Sequence, residues 1–310
     1  MNIFSVKFNG VKEKILPPID KNILKRDLNN AQLLGKTQDN FSIHLADFSI
    51  SPNLIKEIAR LREITFRSVG EGTGKAIDID NYDEYYKHIV LWNITNDEIA
   101  GSYRIGICDE ILIEYGREGL YSSSTCHLTE GLLPLLERSL DMGRSFIQEQ
   151  YWRTNALDYL WQGIGALIKD LGNIRYLCGS VSISDSYPEI AKKLIVFYYK
   201  KWFLADIYYA IPSNEYTLKM RDIERFNDIF TGRDHKQDLL ILKSELNKLN
   251  ASIPVLFRKY TELCEYGGVK IINFNVDMSF FYFFDAFILV DLELLKPTYA
   301  KRYFSQRSFL

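Results

Sequence analysis

Apolar residues recur along this chain with two different periods, and the alternation between them outlines the elements. Leu54, Ile55, Ile58, Leu61 and Ile64 repeat at helical spacing behind Ser51-Pro52, a serine before a proline at the first helical position. This predicts a helix running to about residue 68, with Ser51 as its N-cap. Two β-rich runs, 88–94 and 99–107, are separated by Thr95-Asn96-Asp97-Glu98 and predict a hairpin. Beyond it the pattern predicts a strand over 140–147, a helix over 154–171, a strand over 175–183, a helix over 188–203 and a strand over 207–211. Two further helices, 237–250 and 254–266, and late strands over 269–274 and 286–292 complete the reading. A helix, a hairpin, then alternating strands and helices make an α+β, or mixed α/β, fold around one central sheet. The stretch from Lys12 to Asn40 is polar, asparagine-rich and broken by Pro17-Pro18, so residues 1–40 read as a peripheral arm and 41–310 as one domain.

Composition narrows the function classes. With 47% hydrophobic and 25% charged residues in 310, the chain is globular, and its net charge of -2 supplies no broad positive field for a phosphate backbone. Nucleic acid is therefore excluded as the expected partner. Four scattered cysteines, Cys108, Cys126, Cys178 and Cys264, suggest neither a disulfide framework nor a metal site, and reduced cytoplasmic thiols are the expectation. The most apolar tract, 280–290, is interrupted by Asp285 and is far shorter than the roughly 20 residues needed to span a bilayer. Contact with a membrane surface stays open.

The densest polar cluster is Asp78-Ile79-Asp80-Asn81-Tyr82-Asp83, between the first helix and the hairpin. Three carboxylates so close must meet cations or hydrogen-bond donors. Arg62 and Arg104 bracket them, and a third group, Asp141-Met142-Gly143-Arg144-Ser145, opens a strand where a bulge at Gly143 could redirect Arg144. From composition alone these charges also fit a solvated loop with surface ion pairs.

The joint pattern goes further. Leu61-Arg62-Glu63-Ile64-Thr65-Phe66, Asp78-x-Asp80-x-Tyr82-Asp83, Tyr103-Arg104-Ile105 and Asp141-Met142-Gly143-Arg144-Ser145 resemble, in order and spacing, the acyl-homoserine-lactone synthases. They are still more similar to the ornithine-lipid type amino-acid N-acyltransferases, often labelled hemolysin-like. Leu160-Trp161-Gln162-Gly163-Ile164, the 179–184 run Gly-Ser-Val-Ser-Ile-Ser, Ile253-Pro254-Val255-Leu256 and Phe274-Asn275-Val276-Asp277 resemble that second group's later blocks. The synthases carry Glu where this chain has Asp78 and Asp141.

This resemblance implies a GNAT-like fold with a mostly antiparallel sheet flanked by helices. It also implies transfer of a fatty, or 3-hydroxy fatty, acyl group to the amine of an amino acid such as ornithine or glycine. The donor would be a thioester on acyl carrier protein, with acyl-coenzyme A as the alternative and no tightly bound cofactor or metal. By the same resemblance Asp80, Asp83, Arg104, Asp141 and Arg144 form the catalytic group, and Arg62, Phe66, Asp78, Ser145 and Trp161 serve the substrate. Asp80 and Asp83 would orient the amine or a water, the arginines would hold the carboxylates, and backbone N–H groups between Gly143 and Phe146 would meet the oxyanion. The enzyme would be cytoplasmic, with the inner-membrane surface as a further contact. A coenzyme A-dependent acetyltransferase, a signal synthase and a non-catalytic lipid binder remain the other readings.

Other residues admit two readings. Gly163 and Gly165 fit half of a phosphate-cradling loop or close helix packing; His88 fits a base or a histidine satisfied by a backbone group. Cys126 and His127 are adjacent and would rarely face each other. Phe66, Trp161 and the 280–284 run could line an acyl tunnel or fill a core, and Lys192, Lys193, Lys200 and Lys201 could meet an acidic carrier protein or simply face solvent.

Overall fold

The structure is a computed structural model that describes residues 12–184, 186–277 and 283–304. In chain order the elements are α1 (Lys21–Asn30), β1 (Gln32–Lys36), β2 (Phe41–Ala46), α2 (Pro52–Ser68), β3 (Lys87–Asn93), β4 (Glu98–Ile107) and α3 (Cys108–Tyr115). They continue as β5 (Cys126–Leu128), α4 (Leu133–Leu136), β6 (Ser139–Ile147), α5 (Ala156–Leu171), β7 (Tyr176–Ile183), α6 (Glu189–Phe203) and β8 (Ala210–Pro212). The last are α7 (Met220–Ile229), α8 (His235–Lys248), α9 (Val255–Leu263), β9 (Val269–Asp277), β10 (Phe283–Asp291) and α10 (Pro297–Phe304). The described residues fall into two compact units, one within 1–115, 140–174 and 297–310, the other within 116–139 and 175–296.

In the first unit β1, β2, β3, β4 and β6 pair antiparallel in that order. β2 and most of β3 and β4 are buried along their length, the pattern of a sheet covered on both faces. On one face, Val90 and Trp92 of β3 join Leu54, Ile55, Ile58 and Leu61 of α2 and Leu24 and Leu28 of α1 in a single core cluster. On the other, α5 approaches so closely that a Cβ on Gly163 would stand 2.6 Å from Ile43 and 2.8 Å from Ile89. Gly165 lies against the backbone of Tyr303 on α10. Close packing is thus the reason for these glycines; Gln162 is turned aside, donating to Asp158 at 3.0 Å.

The second unit pairs β7 with β10 and β10 with β9, all antiparallel, and β5 with β8 in a separate small ladder. Helices and antiparallel ladders in both units make the fold α+β, a mostly antiparallel sheet architecture flanked by helices.

Several elements depart from the sequence reading. The stretch read as an arm carries α1 and β1, and Leu24 and Leu28 are buried in the core, because an asparagine-rich surface hid a two-residue apolar stripe. Ser51 does not cap α2: its hydroxyl donates to the Asp27 carbonyl, and the buried Asp27 carboxylate instead accepts from the N–H groups of Asn53 and Leu54 at 2.7 and 3.1 Å. A tertiary cap has displaced the local one, with the charge facing the helix's positive end. The strand expected over 207–211 begins only at Ala210, since Ile207 and Tyr208 are 57% and 87% exposed and have no packing surface to hold them in a sheet.

Candidate active site

Four segments of the first unit, α2, the loop and 3-10 turn that follow it, β4 and β6, deliver the charged cluster to one place. Arg62 comes from α2, where the helical period turns it inward beside Leu61 and Ile58; it is 1% exposed. The loop after α2 is tied down before it reaches the cluster. Buried Glu63 accepts from the N–H of Thr73 and Gly74 at 2.9 and 2.8 Å, and the Asp78 N–H donates to Ala59 at 3.1 Å. The loop ends in a 3-10 turn, Asn81–Glu84, closed by a capping box. In it the Asp80 carboxylate accepts from Tyr82 N–H at 3.0 Å and the Asp83 carboxylate accepts from Asp80 N–H at 3.0 Å. Three carboxylates within six residues are thereby pointed in different, defined directions.

Each carboxylate meets a guanidinium. Arg62 donates through Nε to Asp78 at 2.8 Å, through Nη2 to Asp83 at 2.8 Å and through Nη1 to the other Asp83 oxygen at 3.2 Å. Arg104, on β4, donates through Nη1 to Asp80 at 2.6 Å and to Asp83 at 3.3 Å. Its guanidinium lies over the rings of Tyr82 and Tyr86, 5.5 and 5.3 Å from their centroids, a cation–π arrangement that offsets some of its lost hydration. Arg144 reaches Asp78 and Asp80 at 3.5 and 3.6 Å.

The bulge that admits Arg144 is real. Ser102 pairs with Phe146 but Arg104 pairs with Gly143, so β6 holds one residue more than β4 across this step, and Arg144 takes a left-handed φ of 50°. An arginine in that conformation is strained, which is commonly seen where a side chain must be aimed.

Burial grades the cluster. Arg62, Asp78, Asp83 and Arg104 are each at most 2% exposed, whereas the Asp80 side chain is 26% exposed and that of Arg144 12%. Burial by itself would raise the Asp83 pKa, but Arg62, then His88 and Arg104, drive it far below the usual carboxylate range. For Arg62 burial opposes the charge, and Asp78 and Asp83 outweigh it and hold its pKa above normal. Asp83 is consequently no proton acceptor near neutral pH. Asp80 is the carboxylate of the cluster that meets solvent.

Asp141 is also buried, accepting from the Tyr86 hydroxyl at 2.8 Å, and it faces Gly106 of β4, on the same side as Arg104. Tyr86, partner of both Asp141 and Arg104, was not singled out from sequence; the contact spans 55 residues and has no local signature. Ser145 sits half-buried within the bulge. Phe66 packs against the core cluster of α1, α2 and the sheet, and Trp161 against Tyr103 and Tyr303 at 6.4 and 6.0 Å between centroids. Residues 280–282 of the aromatic run lie outside the described residues.

The remaining sequence candidates lie elsewhere. Cys126 is buried and His127 exposed, on opposite sides of β5. The lysines of α6 make contacts within their own unit: Lys193 with Asp222 at 2.9 Å, Lys201 with Asp238 at 2.7 Å, Lys200 with the Tyr216 carbonyl at 3.0 Å. Lys192 is 4% exposed beside the Phe284 ring. Among the described residues no helix is long and apolar enough to cross a membrane.

Residues 61–162, which carry every member of the cluster from Arg62 to Arg144, match the acetyltransferase (GNAT) domain family, and with the relatives that follow this makes the protein an acyltransferase. Over 264 residues it is 35% identical to a glycine N(alpha)-acyltransferase of Phocaeicola vulgatus, spanning 81% of each chain. It is 33% identical to a glycine N(alpha)-acyltransferase of Bacteroides thetaiotaomicron, spanning 81% of this chain and 78% of the relative. The chain belongs to this N-acyltransferase family. Among solved structures, a CoA-dependent acyl-homoserine lactone synthase, MesI, aligns over 86% of this chain and 96% of its own, with a TM-score of 0.39 and 11% identity. A second, BjaI, aligns over 60% and 87% with a TM-score of 0.32 and 14% identity.

Proposed function

We propose that this N-acyltransferase moves a fatty acyl group, of the 3-hydroxy type where available, from an acyl carrier protein thioester to the amine of glycine. The products are an N-acylglycine and the free carrier thiol: the C–N bond forms as the C–S bond breaks, and the amine gives up a proton. Glycine is favoured over ornithine by the names of the two relatives; carrier protein is favoured over coenzyme A by the sequence blocks shared with the ornithine-lipid type enzymes. This reading carries a cytoplasmic location with it, the amphiphilic product bringing the enzyme to the membrane surface.

The observation that carries the reading is the graded exposure of the lattice: Asp80 and Arg144 meet solvent, and Arg62, Asp78, Asp83 and Arg104 lie behind them. An amino group near its ordinary pKa of about 8 is mostly an ammonium at neutral pH and must be deprotonated before it attacks. Asp80, or a water held by it, takes that proton. Arg104 at 2.6 Å steadies the Asp80 carboxylate, and Asp83, too acidic for proton transfer, orients Arg62 and Arg104. Arg144 offers a planar fork to the acceptor's carboxylate. The thioester oxygen is received at the bulge between Gly143 and Phe146, where the β4 and β6 backbones fall out of register. Asp141 fixes Tyr86 and through it the ring against Arg104.

The test is incubation of purified protein with 3-hydroxyacyl carrier protein or the matching acyl-coenzyme A, each with glycine or ornithine, read by mass spectrometry. The expected product is N-acylglycine from the carrier protein arm, lost in Asp80→Asn and in Arg144→Ala. Absence of any amide in all four arms, with folded protein, overturns the reading.

A further inference from the structure

His88 is completely buried on β3, directly across from Arg104, in a strand whose other residues on that face, Val90 and Trp92, are apolar core. A histidine there is not required by packing, and burying an imidazole costs hydration. Among the described residues no backbone group satisfies it. Its Nε2 lies 3.3 Å from Asp83 Oδ1, and among the described residues neither ring nitrogen completes a well-aligned hydrogen bond. Burial first, then Arg62 and Arg104, press the ring toward neutrality against the pull of Asp83. A neutral ring with its proton on Nε2 presents that proton to Asp83.

We propose that His88 is a positioning residue of the acyl transfer, acting on Asp80 through Asp83. Asp83 Oδ1 stands 3.2 Å from Arg62, 3.3 Å from Arg104 and 3.3 Å from His88, while Oδ2 accepts the Asp80 N–H at 3.0 Å. Two of the three neighbours of Oδ1 are cations that also hold other carboxylates. His88 is the neutral one, and it supports the side of the carboxylate that faces β3. With it in place Asp83 cannot turn inward, so the capping box keeps its shape and Asp80 keeps its aim.

This inference rests on the role given to Asp80 above, and the experiment separates the two. Amide formation is measured for the wild type and for Asp80→Asn, His88→Gln, His88→Asn and His88→Phe, with melting temperatures alongside. A glutamine amide nitrogen falls near the place of Nε2, an asparagine amide nitrogen near that of Nδ1. His88→Phe is expected to lower kcat at least tenfold with little change in the KM for the acyl donor. His88→Gln should restore most of the rate and His88→Asn should not. Wild-type kcat in His88→Phe, or equal rates in the Gln and Asn variants, overturns the proposal. If the phenylalanine variant fails to fold, the Gln and Asn pair decides alone. Full turnover in Asp80→Asn overturns the role of Asp80 instead, whatever the His88 variants do.

Discussion

Replacing Asp83 by Asn keeps the shape of the side chain and removes one charge from the lattice. The wild-type cluster balances Asp78, Asp80 and Asp83 against Arg62, Arg104 and Arg144. After the change Arg62 and Arg104, each 1% exposed, share one carboxylate fewer, and an amide N–H₂ points at a guanidinium that can only donate. Removing one partner of a buried ion pair costs roughly 3–5 kcal/mol, and Coulomb's law at an effective dielectric of about 20 gives about 4 kcal/mol for charges about 4 Å apart. The two estimates agree. For a unit of this size each kcal/mol lowers the midpoint by about 2–4 °C, so Asp83→Asn should melt roughly 6–20 °C below wild type at neutral pH. Asp97→Asn is the control. Its pair with Lys25 is 37% and 44% exposed, and its loss should change stability by under about 1 kcal/mol. The pH dependence gives a second reading. Because the folded-state pKa of Asp83 lies below the ordinary 3.8, the unfolded chain binds the proton first as pH falls. The contribution of Asp83 is therefore intact above about pH 4 and fades below it, and the variant should lack that acid limb. Thermal and urea unfolding followed by circular dichroism measure both effects. A midpoint within 2–3 °C of wild type, on the order of 1 kcal/mol, would refute the claim that the lattice is a tightly coupled buried unit.

Other outcomes follow from the same structure. His44 is buried, and burial chiefly, with Lys36, lowers its pKa from 6.5 to about 4. The unfolded chain then takes up the proton first, so stability should decline as pH falls from 6.5 toward 4, by on the order of 3 kcal/mol when complete; urea titrations of His44→Gln should be flatter over this window. Gly163→Ala brings a methyl within 2.6 Å of Ile43 and should cost about 1–3 kcal/mol by overpacking, despite alanine's better helix propensity; a raised urea midpoint would refute the close approach of α5 to the sheet. Arg144→Gly relieves a left-handed φ of 50° but removes a partly exposed cation 3.5 Å from Asp78 and 3.6 Å from Asp80; the two effects oppose, so melting should fall by less than in Asp83→Asn while amide formation is abolished. A fall as large as that of Asp83→Asn would make Arg144 a structural residue.

Much of the architecture was legible without coordinates, because α2, β3, β4, β6, α5, β7 and α6 carry long apolar periods that only one kind of element can bury. The resemblance in Arg62, Asp78, Asp80, Asp83, Arg104 and Arg144 likewise named the residues that meet. Short or polar-faced elements such as α1 and α7 escaped notice, since a helix of ten residues with two or three buried positions leaves a weak stripe. Sequence also could not separate the charged residues from one another. That Asp83 is sealed among two arginines and a histidine while Asp80 reaches solvent depends on which side of one 3-10 turn faces α2, and that side is chosen by anchors as distant as Ala59 and Gly74. The cap of α2 by Asp27 in place of Ser51, the bulge that turns Arg144 inward, and the contact of Tyr86 with Asp141 have the same origin. Local periodicity sets which elements form; their long-range packing alone decides which polar groups lose water, and burial with its charge partners then sorts chemically identical side chains into supports and reactive groups.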